Sequence, residues 1–362
     1  MNSPACAMPV RSMCRPAFPT PTSHRFLVLV RAAVLTTGRR PVPKLLRTVR
    51  SHAPGHVSAY HRVFSQRRWS AWALARALIT CLLDQLVPSG PVLLAGDDTV
   101  TAHPGPHVLG KGRHRDGVRS THRDTAYRWG HQGGVVSVRI RVPVATRPGA
   151  LPILGALYRP PEWDRVPRMR HKTPTHMARL LLARLVRWFP ERHVIVVGDS
   201  GYGTSETARC CRQRRRHLTS VRTCDGDAAW YEPPPPRTRT PMGRPRVKGQ
   251  KLASPQAGVA QMTERTHRRV AWYGGASRDI AMVTGTGHWY RIGEALVAVR
   301  WVYVHDGTGT HRDEYFCSTD LCMTPKQIVA CATQRWAIAT TFQECREDLQ
   351  RESTQGYGKQ TV

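Results

Sequence analysis

HVIVVGDSGYGT, residues 193–204, holds a strand and an acid within one short run. Five apolar or small residues, Val194 to Gly198, precede Asp199 without polar alternation, the composition of a strand buried on both faces. Upstream, Thr173 can cap a helix with Pro174 in its first position, and Met177, Leu180, Leu181, Leu185 and Trp188 make one apolar stripe. Downstream, SETARCCRQRRR reads as a second helix. Further upstream, from Pro91, VLLAGDDTV is a short apolar run ending in acids, and VVSVRIRVPV (135–144) alternates like a half-exposed strand. This order of strand hairpin, helix, strand and helix is α/β. Both acids then sit at carboxyl ends of strands, where sites in open sheets gather.

Composition indicates the partner. Lys and Arg number 55 against 24 Asp and Glu, a formal charge of +31 on 362 residues. Such an excess points to a polyanion, and nucleic acid is the usual one, because neutralised phosphates release condensed counterions. A high-GC genome favouring Arg codons accounts for part of the excess. The apolar run FLVLVRAAVL (26–35) is interrupted by Arg31 and is too short to span a bilayer. It also starts too late for a signal peptide, so a cytoplasmic location with no membrane partner is expected. Ten cysteines form no C-x-x-C pair and match no zinc spacing, which suggests reduced, mostly buried thiols.

Five regions follow. Residues 1–18 lack periodicity and are expected without order. Residues 19–88 carry apolar positions at three and four spacing, punctuated by Arg39, Arg40, Lys44, Arg47, Arg50, Arg67 and Arg68. They suit a helical, DNA-binding module, or equally a helical cap with solvated arginines. Residues 89–223 hold the first part of the α/β core. Residues 224–322 open on the extended basic stretch YEPPPPRTRTPMGRPRVKGQK and continue as short antiparallel strands, RRVAWYG, RDIAMVTG, LVAVRWVYVHD and EYFCSTD, a β-rich insertion. Residues 323–362 begin a helix with Thr324 as cap, Pro325 first and Gln327 completing a capping box, running to about Leu349.

An acid ending each of two buried strands, with another from a late helix, is what two-metal phosphoryl transfer needs. A single strand-terminal Asp also fits an ordinary turn. The combination is more specific. GDDTV (96–100), GDSGYGT (198–204) and QRWAIATTFQECRE (334–347), in that order with β-structure before the third, resemble the DDE transposases of bacterial insertion sequences. The group concerned has a third motif of Tyr, two residues, Arg, three residues, Glu, six residues and Lys. HRDTAYRWGH, ALYRPPEWDR, GRPRVKGQK, AWYGG, VTGTGHWY and VHDGTGTHRDEYF share the likeness, which covers roughly residues 20–350.

The resemblance implies an RNase H-like mixed-sheet core. It also implies cleavage at transposon ends and strand transfer, dependent on two Mg²⁺ (or Mn²⁺) ions in an intact member. The partners implied are terminal inverted repeats of DNA and a second copy of the chain, in a bacterial, nucleoid-associated setting. Asp97 is similar to the first catalytic and metal-binding acid, with Asp98 the second choice, and Asp199 to the second acid. Arg335 matches the motif's Arg, and Arg346 stands at its Lys. Ala332 replaces the Tyr.

Four residues beyond Arg335, where the Glu belongs, the chain has Ala339. Glu344 lies five residues further on, about 140° round a helix, and Glu347 eight further, about 12 Å along the axis. Neither can put a carboxylate where residue 339 would. Gln343 shares the face but is neutral. A transposase with impaired cleavage is therefore expected, as is a shortened C-terminus, since the chain stops at GKQTV where family members continue. The alternatives are a DNA-binding remnant or inhibitor without activity, and an RNase H-like nuclease.

Lys111, Arg113, Arg115 and Arg119 are candidate phosphate contacts, as are Arg244, Arg246, Lys248 and Lys251 in the Pro-rich stretch. His107, His114, His122 and His131 are expected in a loop near nucleic acid rather than around a metal, since the surrounding cations repel one. Trp336 and Trp230 are expected as packing residues, with a wedge into DNA the alternative for Trp230.

Overall fold

A computed structural model describes residues 13–102, 108, 110–117, 119–121, 123–142, 145, 147–161, 171–199, 203–214, 216–236, 245–293 and 295–347. Three short helices, α1 (Thr20–Leu35), α2 (Val42–Val49) and α3 (Val57–Ser65), close over Leu29, Ala32, Leu45, Leu46, Val49, Tyr60 and Val63. The fourth, α4 (Ala71–Leu86), leaves that group and lays Ile79 and Leu83 on the main sheet. Residues 13–18, expected without order, are placed. Cys14, Ala17 and Phe18 are buried beside Leu27, and Phe18 stacks on Phe26 and Trp69. An aromatic in an apolar pocket outweighs a composition that looks unstructured.

Among the described residues the sheet has eleven strands. They are β1 (Val92–Ala102), β2 (Gly112–Arg115), β3 (Tyr127–Ile140), β4 (Gly149–Tyr158), β5 (Val194–Gly198), β6 (Leu218–Thr223), β7 (Trp230–Tyr231), β8 (Thr266–Ala271), β9 (Ser277–Trp289), β10 (Val297–His305) and β11 (Glu314–Ser318). β4, β3 and β1 are antiparallel neighbours, and β5 and β6 then run parallel to β1. Three antiparallel strands followed by two parallel ones, with helices on both faces, is the RNase H-like arrangement.

The β-rich region continues this same sheet. β11 joins β6 through Phe316↔Thr223, Cys317↔Arg222 and Ser318↔Val221, and β10, β9 and β8 follow outward. The Pro-rich stretch doubles back, with Tyr231 bridged to Lys251 and the Glu232 amide bonded to the Gln250 carbonyl.

Alternation along β1 and β5 separates two faces. Val92, Leu94, Val194 and Val196 meet α4 and α5 (Pro174–Trp188). After α6 (Ser205–Gln213) and α7 (Pro255–Gln261), α8 (Pro325–Thr333) meets Ile195 and Val197, and Ile338 and Phe342 of α9 (Trp336–Glu347) meet Ala95. The caps follow the sequence: the Thr173 hydroxyl accepts from the His176 amide, and Thr324 with Gln327 forms the full box.

Four expectations are corrected. The strand beginning at Val92 continues through Asp97 and Asp98 to Ala102, because β3 pairs with it well past the point where β5 stops. Residues 135–138 are buried on both faces rather than half-exposed, since helices cover each side. The last helix is two: α8 stops at Thr333, and Gln334 and Arg335 turn the chain before α9 starts. Finally, Gly112–Arg115 form β2 rather than a loop.

Candidate active site

Asp97 and Asp199 come together. The parallel pairing of β1 with β5 ends at Ala95↔Val197; Asp97 and Asp199 each follow two residues later, Asp199 just past the end of β5 and near enough for its charge to act on Asp97, and alternation from Ala95 and Val197 turns both toward the face of α8 and α9. Asp98 falls on the opposite face, where its Oδ2 accepts from Gln132 Nε2 at 2.9 Å. Strand alternation thus separates two acids that are adjacent in sequence.

Burial raises Asp97 above the ordinary carboxylate value, and the nearby Asp199 and Asp98 charges add to that rise. The Asp98 amide, donating to Oδ1 at 2.8 Å, and the Arg335 guanidinium offset it in part. Arg335 Nη1 is 3.9 Å from Asp97 Oδ2, too long for a hydrogen bond. Arg335 can stand there because the chain turns between α8 and α9.

Asp199 follows directly on β5. The Gly203 amide donates to the Asp199 carbonyl at 2.7 Å, and a Cβ at Gly203 would come within 2.8 Å of Arg222 Cβ. Arg222, on β6, donates to the Gly203 carbonyl at 2.8 Å and lies 3.8 Å over the Trp289 ring. Arg222 thus holds Gly203, whose amide in turn bonds the Asp199 carbonyl. No motif marked Arg222; its register beside β5 is what finds it.

Ala339 lies on α9 one turn beyond Arg335, half-buried, with Ile338 and Phe342 anchoring the helix on Ala95, Val135 and Ala150. The two acids further along are engaged elsewhere. Glu344 Oε1 accepts from Arg147 at 2.7 Å, and Glu347 Oε1 accepts from Gln343 at 2.9 Å. Arg346 is exposed. Among the described residues, no three His, Cys, Asp or Glu form a group able to hold a metal.

The candidate phosphate contacts lie at opposite edges of the sheet, one group on β2 and the other beside β7. Arg113 and Arg115 are exposed on β2, Lys111 precedes them, and Arg119 reaches Asp116 at 3.8 Å. Arg246 and Lys251 are exposed, whereas Lys248 Nζ sits 3.7 Å over the Tyr231 ring and is held by it. Arg244, His107 and His122 lie outside the described residues. His114 and His131 are buried rather than displayed in a loop. Trp230 is buried, and a Cβ at Gly287 would lie 2.9 Å from its Cβ. Trp336, expected to pack, is 57% exposed with its edge to Tyr273.

Sequence reasoning also missed a cavity of about 130 Å³ beside α9, lined by Arg139, Arg141, Trp272, Tyr273 and Trp336. Arg139 Nε is buried there without a hydrogen-bond partner. Its arginines are far apart in sequence from the aromatics, so no short motif contains both.

Two neighbouring acids, with an arginine 3.9 Å from one of them and α9 on the same face of the sheet, make up the candidate site. The family model for DDE superfamily endonucleases matches residues 14–279, most of the chain. This chain belongs to that family. The match ends before the third motif. No curated protein sequence matches the chain. Among solved structures, a piggyBac transposase in a synaptic complex with hairpin DNA is similar at 11% identity and a TM-score of 0.37, over 90% of this chain. The chain spans 58% of the length of that transposase. No helix among the described residues is long and apolar enough to cross a membrane.

Proposed function

We propose that this chain is a transposase of the DDE class that binds transposon ends and cuts them poorly. One observation supports the reading: Asp97 lies within reach of both the Asp199 charge and Arg335, whose Nη1 is 3.9 Å from Asp97 Oδ2, while Ala339 stands where the resemblance calls for a third carboxylate.

The donor set fits a single divalent ion. Mg²⁺ is commonly held by one or two carboxylates together with substrate phosphate, and two like charges half-buried together call for a cation. Asp97 and Asp199 would hold it, and Mn²⁺ suits the same oxygens. When bound, the ion neutralises charge on the phosphodiester and lowers the pKa of attacking water. A second ion would have too few oxygens among the described residues.

The chain's own groups do the rest. Burial and its acidic neighbours raise the Asp97 pKa, and a cation held there would favour its carboxylate form. Arg335, too far from Asp97 for a hydrogen bond, is free to turn its planar fork to a phosphate. Arg222 steadies Asp199 through Gly203, whose carbonyl it bonds and whose amide bonds the Asp199 carbonyl. Water attacks the phosphorus, the bond to the 3′ oxygen breaks, and that oxygen leaves as a hydroxyl. In strand transfer the same hydroxyl attacks a target phosphodiester. The substrate would be DNA carrying terminal inverted repeats, paired by two copies of the chain on a bacterial nucleoid.

A second reading, a DNA-binding remnant or inhibitor without activity, is favoured by the engagement of Glu344 and Glu347 away from the acids. Labelled DNA carrying the repeats separates the two. The expected result is binding that weakens steeply with salt, with Mg²⁺-dependent nicking slow but lost in Asp97→Asn. No nicking at any ion concentration supports the inhibitor. Rapid excision by the unaltered chain overturns the impairment, and nicking of arbitrary DNA points to an RNase H-like nuclease instead.

A further inference from the structure

The paired strands β2 and β3 carry an exposed aromatic and cationic ladder at the acid-bearing end of the sheet. Arg113 stands opposite Trp129 and Arg115 opposite Tyr127, with His114 and Gly112 turned inward between them. Trp129 is 61% exposed and Tyr127 53%. The Arg113 guanidinium lies 4.0 Å over the Tyr127 ring, and Lys111 Nζ lies 5.8 Å from the centre of Trp129. No acid stands on the ladder itself.

We propose that this ladder is a stacking platform for unpaired bases of the DNA strand that leaves the active site. The inference rests on the reading of the chain as a DNA-processing protein.

Placement supports it. Odd-numbered residues of β3 share a face with Asp97, whose partner across the ladder is Val135. Trp129 lies six residues further along β3, about 20 Å at strand spacing, on that same face. A strand passing the carboxylates therefore meets Trp129 and Tyr127 next.

Rigidity supports it as well. A Cβ at Gly130 would lie 2.0 Å from the Thr101 carbonyl oxygen, and one at Gly112 2.2 Å from Pro160 Cγ. The backbone under the two rings is pinned to β1 and to the chain after β4, so little ordering entropy is lost on binding.

The chemistry selects the occupant. In a duplex each base face is covered by its neighbours, so an exposed ring can stack only on a base already unpaired. Arg113, Arg115 and Lys111 complement the phosphates of that strand. A second copy of this chain, at a formal charge of +31, would bring like charge to the same face.

The test compares the full chain on a blunt duplex and on the same duplex with a six-thymidine single-stranded tail, by fluorescence anisotropy at one salt concentration. The expected result is tighter binding of the tailed DNA. Trp129→Ala and Tyr127→Ala should each cut that tail-dependent gain roughly tenfold or more. Trp129→Phe should keep most of it, and the blunt-duplex affinity is the internal control. A tail that adds nothing while the duplex still binds overturns the platform and leaves the DNA reading standing. An equal loss on both DNAs, or loss of self-association in the variants, also overturns it. No binding of either DNA by the unaltered chain removes the DNA reading itself.

Discussion

Asp97 on β1 and Asp306 just after β10 are acids of the same sheet, handled in opposite ways. Asp306 is almost fully buried. It accepts from the Thr308 amide at 3.1 Å, from the Thr308 and Thr310 hydroxyls at 2.8 and 3.0 Å, and from Arg278. Burial alone would raise its pKa, but these donors together hold it well below the usual range. Asp97 has one amide donor, an arginine beyond hydrogen-bond reach and a second carboxylate beside it, and its pKa is raised. A carboxylate supplied with every donor it can use is structural. One left short of donors next to another acid awaits a cation, and that pattern marks functional sites.

The widest separation should come from position 339. Ala339→Glu should raise Mg²⁺-dependent cleavage of repeat DNA by about 10²–10³-fold, since a missing ligand forfeits several kcal/mol of transition-state charge stabilisation. Asp97→Asn in that background should abolish the gain. No change on restoring the acid would place the fault outside the two-aspartate site.

Stability should divide the two acids next. Asp306→Ala leaves the Arg278 guanidinium without its carboxylate and should cost about 3 kcal/mol in urea unfolding. Asp97→Asn should instead leave the chain as stable or more stable at neutral pH. If both variants unfold alike, the comparison fails.

The pH dependences should run in opposite directions. Asp306 is depressed in the folded chain, so its contribution is present above the unfolded value near 3.9 and is lost as pH falls through the folded value. Asp97 is raised, so its contribution is present below about 3.9 and is lost as pH rises through the folded value. Asp97→Asn should therefore gain over the parent at pH 7 and lose that advantage in acid. Mg²⁺ should raise the parent's melting temperature and leave the variant's unchanged.

The smallest effect belongs to Glu344. Its exposed bridge to Arg147 is worth about 0–1 kcal/mol, so Glu344→Gln should barely shift stability or residual cleavage. A tenfold fall in cleavage would make Glu344 a recruited third acid.

Local chemistry was legible wherever it was local. The buried strand at Val194–Gly198, the Thr173–Pro174 and Thr324–Pro325 helix starts and the strands from Thr266 to Ser318 follow from period, cap and turn residues. The break at Gln334 and Arg335 did not, because helical spacing runs straight through it while α8 and α9 pack on different parts of the sheet. β2 went unread because its inward residues are a glycine and a histidine rather than a run of aliphatics. Arg222 carries no motif, and its role appears only once β6 lies beside β5.

Sequence alone raised the expectation that two aspartates and a basic chain belong together and that Ala339 stands in place of a third acid, because spacing along one helix or strand is a local quantity. Tertiary structure alone decided that Asp97 rather than Asp98 turns to the face covered by α9, that Glu344 is spent on Arg147, and that Trp129 and Tyr127 are exposed on the face of β3 that Val135 shares with Asp97. Those facts depend on register between strands and on which helix covers which face, and both are settled by packing across the whole sheet.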